Sequence, residues 1–156
     1  MALVRILVDG YSLLHNWAEV APGKPRHSSS AREELVHKLT QYYDACGTPV
    51  TIVFDGQQGT LDNRETVSTP EVEILLTPAG QTADQMIERA ARRYRPHGEL
   101  LVVTDNHGER DLVNSHGGTV LSCQTFIQTV ESTLAEVERQ IETFNQKERL
   151  KFNNAA

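Results

Sequence analysis

Residues 3–10 read LVRILVDG, an apolar run that ends in an aspartate and a glycine. A run of this length, followed by turn-forming residues, predicts a buried β-strand and then a tight turn. The same plan returns at residues 50–56, VTIVFDG, and at residues 100–105, LLVVTD. Shorter runs at residues 72–76 and 119–122 complete a set of predicted strands, three of which end at or next to an aspartate.

Amphipathic patterns fill the intervals between these strands. Apolar residues recur at helical spacing over residues 35–46, after a capping box at residues 30–33, and over residues 86–94, after a capping box at residues 82–85. A shorter helix is predicted over residues 109–115. Strands that alternate with helices imply right-handed crossovers and a parallel sheet. The sequence therefore predicts a three-layer α/β domain, with a central parallel sheet and helices on both of its faces.

A long amphipathic helix is predicted after this domain. Its apolar stripe has steps of three and four residues and consists of Phe126, Val130, Leu134, Val137, Ile141 and Phe144. We therefore predict an α/β domain over residues 1–125, followed by the helix and a frayed tail over residues 126–156. The helix either belongs to the same globular unit or forms a contact in a homodimer.

Composition limits the classes of protein to consider. A chain of 156 residues with 38% apolar and 23% charged residues fits one globular domain. No apolar run approaches the ~20 residues of a membrane span, and charges interrupt the N-terminal run, so we expect a cytoplasmic protein without a membrane helix or secretory signal. The net charge of −6 argues against a strongly basic nucleic-acid coat but leaves a local basic groove open. Cys46 and Cys123 lack zinc-site spacing and are predicted to be buried or half-buried free thiols.

Four aspartates are predicted to gather at one edge of the sheet. Asp9, Asp55 and Asp105 follow the carboxyl ends of strands, where open parallel sheets bind ligands, and Asp84 lies in the first turn of a helix. Carboxylates this close repel one another unless a cation lies between them, and oxygen-rich clusters suit Mg²⁺ or Mn²⁺. Taken singly, each aspartate has a structural explanation as a turn former, a helix cap or a partner of the helix dipole.

Blocks at residues 6–14 (ILVDGYSLL), 53–56 (VFDG), 81–84 (QTAD) and 102–105 (VVTD) resemble, in order, those of the NYN domain, YacP-like branch, within the PIN-like nuclease superfamily. The resemblance extends from about residue 3 to Phe126. It implies a PIN-like fold, a Mg²⁺ or Mn²⁺ ion in an acidic pocket, and endonucleolytic cleavage of RNA.

Carried over block by block, the resemblance implies that Asp9 and Asp84 are the principal metal ligands of the catalytic centre. Asp55 and Asp105 would complete both the metal site and the catalytic group. The function implied is a metal-dependent endoribonuclease in the cytoplasm.

The chain departs from the family pattern at three places. Ser12 occupies a position that is usually asparagine, Gln85 one that is usually a second acid, and Thr104-Asp105-Asn106 replaces Thr-Ser-Asp. These departures leave a catalytically weak or inactive RNA-binding module as the alternative function. A metal-dependent phosphatase built on the same sheet is a third.

Several side chains near this edge are candidate RNA contacts. Cations on the loops at residues 21–29 and 57–70 suit the phosphate backbone, an aromatic ring can stack on a base, and hydroxyl or amide groups can donate to phosphate. The predicted contacts are Tyr11, Ser12, Arg26, Arg64 and Asn106. Trp17 is interpreted as a core or interface residue.

Overall fold

The computed structural model describes residues 3–25, 28–55, 68–77, 82–115 and 117–154, except the side chains of residues 83, 84 and 154. Its strands are β1 (Leu3–Asp9), β2 (Val50–Phe54), β3 (Val72–Leu76), β4 (Glu99–Val103) and β5 (Thr119–Leu121). Its α-helices are α1 (Gly10–Asn16), α2 (Ser29–Cys46), α3 (Ala83–Tyr94), α4 (His107–Ser115) and α5 (Cys123–Asn154).

The strands form one parallel sheet in the order β3-β2-β1-β4-β5, as the alternation of strands and helices predicted. From β1 the chain adds β2 and then β3 on one side of the sheet. It then crosses back and adds β4 and β5 on the other side of β1. Val8 of β1 is in register with Val103 of β4, so these central strands end side by side. Ligands bind at such a switch in strand order.

Helices cover both faces, which makes the predicted three layers. Helices α1, α2 and α5 pack together on one face, and α3 contacts α4 on the other. The alternation of side chains along β1 divides the core, because Ile6 and Val8 join the cluster that contains Phe126, whereas Leu7 joins the cluster that contains Ile87. All five of these side chains are at most 1% exposed.

Some helix boundaries differ from those predicted. The residues after Asp9 form α1 rather than only a tight turn, because the Asp9 side chain accepts a hydrogen bond from the Ser12 amide and caps a helix there. The cap of α2 is Ser28, two residues before the predicted Ser30. The capping box of Thr82 and Gln85 at the start of α3 is confirmed.

Helix α5 begins at Cys123, earlier than predicted, and includes Lys151, where the sequence predicted a frayed tail. Its first turns are buried against the domain, and its distant turns carry exposed apolar side chains such as Phe144 and Phe152. Both cysteines are free thiols; Cys123 is buried, but Cys46 is exposed, contrary to expectation, because it lies on the last turn of α2. Among the described helices, none is both long and apolar enough to cross a membrane.

Candidate metal and nucleic-acid site

Asp9 ends β1 at the centre of the sheet and is half-buried. One carboxylate oxygen accepts from the Ser12 amide at 3.4 Å, so the side chain caps α1 from the carboxyl edge of the sheet. Gly10 allows this turn, because a Cβ at that position would lie 2.4 Å from Cε1 of the buried Phe54 ring. The turn from β1 into α1 is therefore sterically defined by a core side chain beneath it.

Asp105 follows β4, the strand next to β1, and hydrogen bonds engage both of its carboxylate oxygens. Oδ1 accepts from the Cys123 amide at 3.0 Å, and Oδ2 accepts from Nδ2 of Asn16, also at 3.0 Å. Nη2 of Arg110 lies 4.0 Å from Oδ1. The side chain of Asp105 is 40% exposed, so this pair with Arg110 is solvent-screened and weak.

Asp9 and Asp105 converge near one buried thiol. Sγ of Cys123 lies 3.6 Å from Oγ of Ser12. Burial is the main reason that the pKa of the Cys123 thiol is raised to about 12; the Ser12 hydrogen bond lowers this pKa, and the charges of Asp105 and Asp9 add smaller increases. Both carboxylates therefore act on the same point, which is the convergence expected of residues that follow adjacent parallel strands.

Asp55 follows β2 and is half-buried, and Asp84 lies in the first turn of α3. The side chain of Asp84 is outside the described part of the structure. Within the described part, no group of three His, Cys, Asp or Glu side chains is arranged to hold a metal ion. The carboxylate oxygens that do converge, from Asp9 and Asp105, are of the type that Mg²⁺ and Mn²⁺ prefer, so the donor chemistry at this edge fits the implied ion.

The predicted stacking role of Tyr11 does not fit its position. The residue is 5% exposed, its ring packs against Phe54 at a centroid distance of 5.2 Å, and its hydroxyl accepts from Nη1 of Arg32 at 3.1 Å. A ring held in this way offers no free face to a base. Trp17 is also buried, and its indole Nε1 donates to Oε1 of Glu131 on α5, so its interpretation as a core residue is confirmed.

Asn106 caps α4. Its Oδ1 accepts from the amides of Gly108 at 2.9 Å and Glu109 at 3.4 Å. A role in RNA binding would have to use the rest of its side chain. Arg26 and Arg64, the predicted loop cations, lie outside the described residues.

Sequence reasoning missed three residues at this site: Asn16, Arg110 and Cys123. Asn16 lies one helical turn after Ser12, and recognising residues 10–16 as a helix would have placed both on one side of it. Arg110 lies on the first turns of α4, close in sequence to Asp105. Nothing in the sequence links Cys123 to Asp105, because the two meet only through the pairing of β4 and β5.

The chain matches the family model of the YacP-like NYN domain over residues 6–155. It belongs to the YacP-like NYN domain family. It is 27% identical, over 139 residues, to the uncharacterized protein YacP of Bacillus subtilis (strain 168), an alignment that covers 87% of this chain and 80% of that protein.

Solved structures of a relative have the same fold as this YacP-like chain. The crystal structure of Rae1 (YacP) from Bacillus subtilis matches with a TM-score of 0.79 at 23% identity, covering 95% of this chain and 84% of that one. Its W164L mutant matches with a TM-score of 0.75 at 24% identity, covering 92% and 85%. The PIN-like fold implied by the sequence blocks is thereby confirmed.

Membership of this family supports a nuclease or RNA-related function, because NYN domains belong to the PIN-like nuclease superfamily. Nucleases of that superfamily generally use divalent metal ions.

Proposed function

We propose that this YacP-like NYN domain is a metal-dependent endoribonuclease. The observation that carries the proposal is the convergence of Asp9 and Asp105 near Ser12 and Cys123, at the carboxyl ends of adjacent central strands. Open parallel sheets bind ligands at this edge, and membership of the family supports a nuclease. A cytoplasmic location and RNA as the substrate remain part of the proposal.

The aspartates have complementary roles in this proposal. Asp9 and Asp84 hold a Mg²⁺ or Mn²⁺ ion, and Asp55 and Asp105 complete the acidic pocket. When bound, such an ion lowers the pKa of a water nucleophile and stabilises the charge that develops on the leaving oxygen of a phosphodiester.

Neighbouring side chains orient the RNA. The Ser12 hydroxyl, on the turn beside Asp9, can donate to a phosphate oxygen. Arg110, at 4.0 Å from Asp105, places a positive charge beside the carboxylates and can contact the phosphate backbone. We propose that Arg26 and Arg64 extend this contact along the RNA strand. Asn106 would contribute through its side-chain amide.

Incubation of the purified protein with labelled RNA and Mn²⁺, alongside labelled DNA of the same sequence and a small phosphomonoester, tests the proposal. We expect internal cleavage of the RNA that chelation abolishes and that Asp9→Asn and Asp84→Asn each remove. Cleavage that persists in either variant would overturn the proposed site. Turnover of the phosphomonoester alone would favour the phosphatase instead.

The alternative is an RNA-binding module without catalytic activity, which the departures at Ser12, Gln85 and Asn106 favour. It predicts that RNA is retained on a filter without products and that chelation of the metal leaves the binding unchanged. Parallel filter-binding and cleavage measurements on one preparation separate the two functions.

We also propose that the C-terminal half of α5 pairs with a second copy of the chain. The stripe that is buried at Val130 continues as Ile141, Phe144 and Phe152, which are 54%, 62% and 79% exposed. Charge supports an antiparallel arrangement, because residues 136–142 carry three glutamates and one arginine, whereas residues 147–151 carry three basic residues and one glutamate. We expect a dimeric mass by light scattering and a monomeric one for Phe144→Ser; a monomeric unsubstituted protein would overturn this proposal.

A further inference from the structure

Asn16 lies at the end of α1, and its amide spans the gap between the turns that carry Asp9 and Asp105. Nδ2 donates at 2.8 Å to the backbone oxygen of Ser12 and at 3.0 Å to Oδ2 of Asp105. A side-chain amide has two N–H groups, so one can hold the side chain against its own helix while the other reaches across to the neighbouring turn.

The second oxygen of Asp105 is held from the opposite side. The Cys123 amide, at the start of α5, donates to Oδ1 at 3.0 Å. This amide lies in the first turn of a helix, where it has no acceptor within the helix and where negative charge is favoured. With one donor on each oxygen, the Asp105 carboxylate cannot rotate without breaking a hydrogen bond.

The amide of Asn16 is long enough to reach Asp105 from α1. Ser12, one turn earlier, has a shorter side chain whose hydroxyl lies against Cys123 Sγ at 3.6 Å. Exposed carboxylates in loops otherwise sample several rotamers, and fixing one of them in advance removes that entropic cost from ligand binding.

We propose that Asn16 is a positioning residue that holds the Asp105 carboxylate toward Asp9 before a metal ion and RNA bind. The inference rests on the proposed nuclease function. It adds Asn16 to a site that otherwise consists of aspartates. Hydrogen-bond partners of this kind typically change metal affinity or activity by about 10-fold to 100-fold when removed.

The test compares Asn16→Ala and Asn16→Leu with the unsubstituted protein and with Asn114→Ala, a control on the exposed side of α4. Asn16→Leu keeps nearly the volume of the side chain, removes its donor and adds no charge, so it separates loss of the hydrogen bond from loss of volume. In both position-16 variants we expect the Mn²⁺ dissociation constant to rise about 10-fold and kcat to fall by a similar factor. The KM for RNA should stay within about twofold, since Asn16 is not proposed to contact the RNA.

A measurement on the metal-free protein separates this inference from the proposed function. The Cys123 amide reports on the order of Asp105, and its hydrogen exchange should accelerate at least about fivefold in Asn16→Ala while the control stays unchanged. Unchanged exchange would overturn the inference, and so would faster exchange with unchanged Mn²⁺ affinity, because Asn16 would then brace only the loop. If the unsubstituted protein neither binds Mn²⁺ nor cleaves RNA, the proposed function fails, and the exchange result alone decides whether Asn16 holds Asp105.

Discussion

The turn from β1 into α1 and the turn from β4 into α4 are built on the same plan but use their aspartates differently. In the first turn, Asp9 is itself the helix cap, and its carboxylate is half-buried. In the second turn, Asn106 caps the helix, and Asp105, one residue earlier, is exposed and directed toward Asn16 and Cys123. An aspartate at a strand end can thus serve the helix that follows it or a neighbouring turn, and the adjacent residue decides which.

The largest expected difference between the turns concerns catalysis. We expect Asp9→Asn to lower kcat/KM for RNA by more than about 100-fold, because it removes a principal ligand, and Asp105→Asn to lower it by about 10-fold to 100-fold, because that carboxylate completes the site. Asparagine remains a good helix cap, so Asp9→Asn should keep its fold. Cleavage of labelled RNA with Mn²⁺ measures both values.

Asp111→Asn, on the exposed side of α4, is the matched control and should retain activity. A loss in Asp105→Asn as large as that in Asp9→Asn would show that the two turns contribute equally to the site.

The next largest expected difference between the turns is how well each tolerates an alanine in place of its glycine. In Gly10→Ala the new methyl group would lie 2.4 Å from Phe54, so we expect the free energy of unfolding to fall by about 1–3 kcal/mol. In Gly108→Ala, in the equivalent first turn of α4, the methyl group would meet only Oδ1 of Asn106 at 3.3 Å. That variant should change the free energy of unfolding by less than about 1 kcal/mol, because the better helix propensity of alanine offsets the small shift that Asn106 Oδ1 must make.

Urea unfolding of both glycine variants measures these changes. Equal destabilisation of the two would contradict the view that a rigid core ring lies under only the first turn.

The smallest expected effect concerns the cap of the second turn. We expect Asn106→Ala to lower the free energy of unfolding by about 1 kcal/mol, since the amides of Gly108 and Glu109 lose their acceptor. The KM for RNA should not change if Asn106 acts only as a cap. A raised KM with the expected loss of stability would restore it as an RNA contact, and thermal unfolding together with cleavage kinetics distinguishes the outcomes.

The sequence alone determined the layered α/β architecture of this protein and most of the strands and helices that form it. Apolar runs of strand length, capping boxes and helical periodicity are local signals, and they predicted the parallel sheet, the cap of α3 and the long α5. The family blocks were likewise readable from the sequence, because each is a short contiguous stretch around an aspartate.

Only the tertiary structure decided which side chains meet. Tyr11 has the residue type of a stacking platform, but contact with Phe54 and Arg32 buries it. No local signal linked Asn16 or Cys123 to Asp105, because these hydrogen bonds span separations of 89 and 18 residues along the chain. Such contacts depend on strand order, on register and on the start of α5, and these follow from packing of the whole chain rather than from any one segment.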